Sequence, residues 1–479
     1  EQRPQTDDPD EEVDAAEDVE LMSTALMYFA KALQDGADYA VCNAVFGFGG
    51  ATALYQSQPL QAQNRCAVVS RTLLERCRAA AHDPENVPEL LALAAQLCTK
   101  PTLIPQALLH YERGICAEDA FSAHGKRAFI MSHVLDMTGA PIVLVSAVPV
   151  LRSMGYEVLV LGPSDGGSLH LFLDAGASVI TRSSCRNVSD AWGMALCADF
   201  VIANTVVMAR AVRALSGTAV PVLWWLHDAF AGYPHIAHQI PTQLGENVRV
   251  YSVGSHAANA MHAVRPEFEI RPLIYGLPDY AAENFVRTDL GYNRGRPLFA
   301  TVGSFERRKG HDIFCKAIRL LPPEVREKAS FLFVGQAADK EMMDSVRALT
   351  ADYPENVYYC KRLTRDEIKS LMEQCTGLVC ASRDDPMPTF VTEGLIFGKP
   401  SIVSEHTGTA GLISEGRNGF VYHNDDPQQL AVLLEHAIEH PEELASMRTE
   451  CRKMYEQYYS KEAFEQTLRA AVEDLTAKK

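Results

Sequence analysis

The stretch Gly377-Leu378-Val379-Cys380-Ala381-Ser382-Arg383-Asp384-Asp385-Pro386-Met387-Pro388-Thr389-Phe390-Val391-Thr392-Glu393-Gly394 decides the fold. Its first four residues are apolar and bounded by turn formers, which predicts a buried strand. A polar, Pro-rich loop follows, and the run from Thr389 predicts a short helix closed by Gly398 and Pro400. A strand feeding a loop and a helix N-terminus is the building unit of a parallel α/β sheet. Such a loop offers unpaired backbone N–H groups and a positive dipole end, which suit a diphosphate or the sugar attached to it. Asp385 and Glu393 stand at its two ends. Carboxylates cannot bind phosphate, but they can fix sugar hydroxyls. The structural alternative is a capped surface helix carrying incidental acids.

The alternation continues on both sides of this stretch. Toward the N-terminus, strands are expected at Leu298–Val302, Phe331–Val334 and Val357–Cys360, with helices at Asp312–Leu320 and Lys340–Ala351. Toward the C-terminus, Ser401–Val403 and Phe420–Tyr422 add strands. An earlier array begins at Arg127. It has strands at Ala128–Leu135, Glu157–Leu161, Ser178–Thr181, Phe200–Ala203, Val220–Leu226 and Arg249–Val253, and helices at Pro141–Met154 and Leu169–Ala175. The turn-rich segment Tyr275–Pro297 separates the arrays. The expectation is two doubly wound Rossmann-like domains facing across a cleft, with ligands at the carboxyl ends of the strands. The predicted boundaries are 126–278 for the first domain and 279–460 for the second. The last helix, 461–479, is expected to cross back to the first domain.

Residues 1–125 have a different texture. They show helical patterns, as in Val19–Leu33 and Val87–Cys98, and no convincing strand. Gly47-Phe48-Gly49-Gly50 lacks both a preceding strand and a Lys-Ser/Thr ending, so a turn between helices is expected there rather than a phosphate loop. Glu1–Glu20 holds ten acids and one base, over half of the chain's net charge of −17. A solvated tail is the expectation for it. Nucleic acid is excluded as a partner, because phosphate contacts need clustered Lys and Arg. Twelve cysteines without a C-x-x-C pair imply neither a common zinc motif nor an oxidising compartment. No run reaches the roughly 20 apolar residues of a membrane span. A start at Glu1 rather than Met points to processing or excision, and a cytoplasmic location is expected, at the inner membrane face where the acceptor is a lipid.

Three further segments fall at strand ends. Thr301-Val302-Gly303-Ser304-Phe305-Glu306-Arg307-Arg308-Lys309-Gly310 brings cations to a turn, where they can neutralise a leaving diphosphate or merely be solvated. Thr138-Gly139-Ala140-Pro141 comes directly after the first strand of the first array, and Gly139 at this turn would admit close approach of a ligand. Trp224-Trp225-Leu226-His227-Asp228 puts a histidine at a strand's carboxyl end, where it serves a ligand or sits satisfied in the core. Asn204-Thr205 ends another strand.

In this order and spacing, the segments resemble the family-4 retaining glycosyltransferases of GT-B fold. The resemblance runs from Phe129 to Tyr459 and is strongest from Val302 to Tyr422. It implies that Glu393 binds the nucleotide ribose and Asp385 the donor sugar. It also implies that Arg308 and Lys309 hold the diphosphate, with Gly303 and the backbone of Pro388, Thr389, Phe390 and Val391 nearby. Gly139 would belong to the first-domain glycine loop. His227, Lys309 and Asp385 would form the catalytic set. Two positions depart from the family pattern: Asp385 replaces the usual Glu, and Ser304 stands where many members carry an Arg.

The same resemblance implies a metal-independent, retaining transfer without a cofactor. The substrates would be a nucleotide-sugar donor and a glycan or lipid-linked acceptor, as in cell-surface polysaccharide synthesis. The absence of an Asp-x-Asp cluster at a strand end agrees with it. A sugar-nucleotide epimerase and a non-catalytic partner of the same fold are the competing expectations.

Overall fold

The computed structural model describes residues 125–182, 185–186 and 189–477. Before these it describes 18–21, 39–48, 52–56, 67–69, 71–82, 90, 93–94, 96–99 and 101–112. Contacts divide the chain into two units, Glu1–Met137 with Leu151–Ala198, and Thr138–Val150 with Asp199–Lys479.

The first unit is built on a mixed sheet. Its strands are β1 (Asp18–Leu21), β2 (Tyr39–Phe48), β3 (Thr52–Gln56), β4 (Ala67–Val69), β5 (Pro101–Glu112), β6 (Lys126–Met131), β7 (Tyr156–Gly162) and β8 (Ser178–Arg182). They lie in the order β1-β5-β2-β3-β8-β7-β6, with β4 beside β2. β6, β7 and β8 pair in parallel, as their apolar runs predict. β3 joins β8 antiparallel, and β2 joins β3 antiparallel.

These strands correct the expectation of a helical region before residue 125. Helix Arg71–Ala80 is present, and Leu73 and Cys77 bury with Leu90 and Ala94 of the expected Val87–Cys98 helix. Most of the other described residues there are strand. The expected helix Val19–Leu33 begins inside β1, and its remainder lies outside the described residues. Gly47 and Phe48 end β2, so the glycine-rich segment leads from one antiparallel strand to the next rather than joining helices. Long-range pairing overrides local helical periodicity here. The acidic segment 1–17 lies outside the described residues.

The second unit carries the parallel strands β9 (Phe200–Asn204), β10 (Val222–Leu226), β11 (Val248–Ser252) and β12 (Ile270–Pro272), adjacent in that order. β9 and β10 are buried throughout. The Trp224 and Trp225 indoles are satisfied by the carbonyls of Thr205 and Leu273, at 2.8 and 2.9 Å. A second sheet holds β13 (Leu298–Val302), β14 (Ser330–Val334), β15 (Val357–Cys360), β16 (Gly377–Cys380), β17 (Ser401–Ser404) and β18 (Gly419–Tyr422). Its order is β15-β14-β13-β16-β17-β18, all parallel.

That order reverses between β13 and β16. At a reversal, ligands bind in the crevice outside the carboxyl ends of the strands, beside the two loops that leave them. The two loops here are those carrying Lys309 and Asp385. The last helix, Lys461–Thr476, lays Phe464 on the Trp225 ring at 5.8 Å and pairs Asp474 with Arg271 at 2.8 Å, so it packs beside β10 and β12.

Candidate active site

Each loop is shaped by local necessity. After β13 the chain makes a 3-10 turn, Arg307–Lys309, and leaves it through Gly310 at φ +65°. That left-handed conformation favours glycine, and a Cβ there would lie 1.8 Å from the Ala381 carbonyl oxygen. The turn is thereby pressed against the loop that follows β16. Arg383 reinforces this contact, with its amide donating to the Arg308 carbonyl at 2.7 Å and its guanidinium bidentate on Asp312 at 2.8 and 2.9 Å.

Across this junction the Lys309 ammonium donates to Asp385 Oδ2 at 2.6 Å, with only 4% of the Asp385 side chain exposed. Ser382 Oγ donates to the same oxygen at 3.4 Å. Burial, reinforced by the Lys309 charge, pushes neighbouring His311 down to about 3, so its imidazole stays neutral. Arg308 takes a different partner, Glu306 Oε2, at 2.9 Å, and Ser304 binds the same carboxylate.

Pro388 precedes helix Thr389–Ile396 without a side-chain cap, which leaves the first-turn amides of Thr389 and Phe390 at the helix end. Glu393 sits on the second turn and accepts from Arg365 Nη1 at 2.8 Å. Burial raises the Glu393 carboxyl above its ordinary range, and the Arg365 charge offsets part of that rise. Arg365 also lies over the Tyr280 ring, 4.1 Å from its centroid.

On the other sheet, His227 follows β10 with its ring 4.6 Å from Trp225. Asp228 accepts the Val206 amide at 2.6 Å, and burial pushes its carboxyl up to about 6 against that bond. The next turn, Phe230–Gly232, meets the β16 loop directly. The Phe230 and Ala231 amides donate to Asp384 at 3.1 and 2.8 Å, and His256 Nε2 bonds Asp384 at 2.7 Å. Gly139 opens helix Gly139–Ser153, and a Cβ added to it would meet nothing within 4 Å.

The structure therefore joins Lys309 to Asp385 and places Glu393 on the helix that follows, whereas Arg308 turns to Glu306. Sequence reasoning passed over Asp384, His256, Arg365 and Arg383. Two of these left a trace: Asp384 is a second acid in a reversal-point loop, and His256 follows a strand's carboxyl end. Among the described residues, no group of three His, Cys, Asp or Glu side chains is placed to hold a metal ion.

Residues 124–267 match the family described as "Glycosyl-transferase family 4", and residues 283–454 match "Glycosyl transferases group 1". The chain belongs to the family-4 glycosyltransferases. An uncharacterized glycosyltransferase of Methanocaldococcus jannaschii is 25% identical over 194 residues, 40% of this chain and 53% of that protein. Spore coat protein SA of Bacillus subtilis is 26% identical over 160 residues, 31% of this chain and 41% of its own. The chain thus spans about half the length of the curated relatives it matches. Among solved structures, Anabaena HepE in complex with UDP superposes with a TM-score of 0.58 at 18% identity, over 73% of this chain and all of HepE. The fold of this family-4 chain is GT-B.

Proposed function

We propose that this chain is a retaining glycosyltransferase that moves a sugar from a nucleoside-diphosphate sugar to a hydroxyl of a glycan or lipid-linked acceptor. The Lys309–Asp385 pair at the sheet's reversal point carries the proposal. It offers an acceptor for sugar hydroxyls and a cation beside the leaving phosphate, next to a helix N-terminus. A UDP-sugar is the first donor to test, since HepE was solved with UDP. The donor is assigned to residues 279–460 and the acceptor to 126–278.

In this mechanism, the bond from the sugar's C1 to the leaving phosphate oxygen breaks as C1 bonds the acceptor oxygen on the same face. The acceptor's proton passes to the leaving phosphate, whose negative charge Lys309 stabilises. Glu393 accepts from the ribose hydroxyls, and His227 lines the reacting centre. No metal or cofactor takes part in the proposed reaction. No described helix is long and apolar enough to cross a membrane, and a lipid-linked acceptor would be met at the cytoplasmic face by peripheral contact.

A thermal-shift screen of UDP-, GDP- and ADP-sugars tests the reading, because ligand binding raises the unfolding midpoint. At least one donor is expected to shift it and to release nucleoside diphosphate in the presence of acceptor. Lys309→Ala and Glu393→Ala should each abolish that release while leaving the ligand-free midpoint within a few degrees. Near-normal turnover in both variants would refute the site. Epimerised donor with no diphosphate release would refute transfer.

A further inference from the structure

Asp384 is not needed by the mechanism above, yet it is among the most heavily bonded carboxylates in the second unit. It accepts from two consecutive amides, Phe230 and Ala231, and bonds His256. The Asp384 side chain is 14% exposed and that of His256 5%. Burial alone would raise the Asp384 carboxyl, but the His256 and amide bonds win and hold it below its ordinary range. The two amides open the Phe230–Gly232 turn, where the first donors of a helical turn have no partner within it. Asp384 fills that vacancy from a loop more than 150 residues away in sequence. Only a carboxylate offers acceptors alone to such a set; an asparagine would bring its own N–H groups against it.

The surroundings are as close as the bonds. The Phe230 ring lies 5.1 Å from His256, and the His256 ring 5.7 Å from His406, whose Nδ1 faces the Arg383 carbonyl at 3.2 Å. A Cβ on Gly254 would come within 2.8 Å of the Met387 methyl, and one on Gly411 within 2.7 Å of Ser255 Oγ. The adjacent acids of one loop therefore have separate tasks. Asp385 meets Lys309, and Asp384 meets the segment that begins with His227.

We propose that Asp384 is a positioning residue for transfer, its carboxylate and His256 holding the His227–Tyr233 segment in register with the Lys309–Asp385 pair. The proposal rests on the transferase reading. Misplacing a reacting group by about 1 Å can cost on the order of a hundredfold in rate while ground-state binding survives. The variants are Asp384→Asn, His256→Ala and His256→Gln, the last of which keeps an N–H donor at similar reach.

In the ligand-free protein, Asp384→Asn should speed amide hydrogen exchange in a peptide spanning residues 228–233 by about tenfold, with residues 391–396 unchanged. With the donor that the screen selects, Asp384→Asn and His256→Ala should lower kcat about tenfold or more. KM for donor and the dissociation constant of UDP should stay within about threefold, and His256→Gln should retain kcat. Unchanged exchange, or unchanged kcat in folded Asp384→Asn, would overturn the proposal. So would parallel losses of kcat, UDP affinity and thermal midpoint in every variant including His256→Gln, since those mark a purely structural contact. If the wild-type protein turns over no donor, the transferase reading falls, and the exchange measurement alone decides whether Asp384 holds the segment.

Discussion

Glu393 and Arg365 show how one residue sets the working range of another. A buried carboxyl prefers its proton, and the Arg365 guanidinium 2.8 Å away is what favours the ionised form that the proposed contact with ribose hydroxyls requires. Removing Arg365 leaves burial unopposed, so the Glu393 carboxyl climbs further and loses its charge at a higher pH. Arg365→Ala is expected to weaken UDP binding about tenfold at pH 7, the scale of one charge-assisted hydrogen bond. The deficit should widen as the pH is lowered. Calorimetric titration between pH 5 and pH 8 reads this directly, and equal affinities across that range would contradict it. Glu393 stood out in the sequence as an acid on a loop-to-helix junction, and the family resemblance singled it out together with Asp385. Arg365 was not, since it begins a helix that comes before β16 in the chain and meets Glu393 only through packing. The same reason hid Arg383 and His256: their partners are distant in sequence, and no local pattern encodes them.

Elements are held by a few such long-range ties. Asp312, at the start of helix His311–Leu320, is held at about 2, where the bidentate bond from Arg383 overcomes the effect of burial. A folded value below the unfolded carboxylate value of about 3.9 contributes stability above pH ~4 and loses it as the pH falls through about 2. Asp312→Asn should therefore cost about 2 kcal/mol at pH 7, with the difference from wild type shrinking toward pH 3, as measured by urea unfolding. Helix Lys461–Thr476 depends instead on packing. Phe464 is buried and stacked on Trp225. Phe464→Ala is expected to cost roughly 3–5 kcal/mol, the usual range for emptying a buried aromatic site, read as a lowered thermal midpoint. The start of this helix and the strands of the second sheet were legible to within one residue, because apolar runs between turn residues state their own limits. The short strand β12 was not, since Ile270-Arg271-Pro272 carries neither length nor alternation.

Over the whole molecule, legibility follows the kind of sheet. Parallel strands buried on both faces are continuous apolar runs, and these announced the GT-B arrays. The strands before residue 125 are mixed and irregular. β5 contains Pro101 and Pro105, and its register with β2 shifts between Cys42 and Ala44, opposite Ile104 to Leu109. Proline supplies no ladder N–H, so such a strand looks unlike one from its sequence. The last prediction also concerns the molecule as a whole, because it depends on where every carboxylate near the site is committed. Double displacement needs a carboxylate free to attack the sugar from beneath. Among the described residues of these loops, Asp385 is held by Lys309, Asp384 by two amides and His256, Asp228 by the Val206 amide, Glu393 by Arg365, Asp312 by Arg383, and Glu306 by Arg308. Such commitments favour substitution on one face, with the leaving phosphate taking the acceptor's proton. An α-linked donor should then give an α-linked product, read from the anomeric proton coupling by NMR. Asp385→Asn should yield no trapped glycosyl-enzyme by mass spectrometry. A β-linked product, or a covalent sugar adduct on any of these acids, would overturn the mechanism.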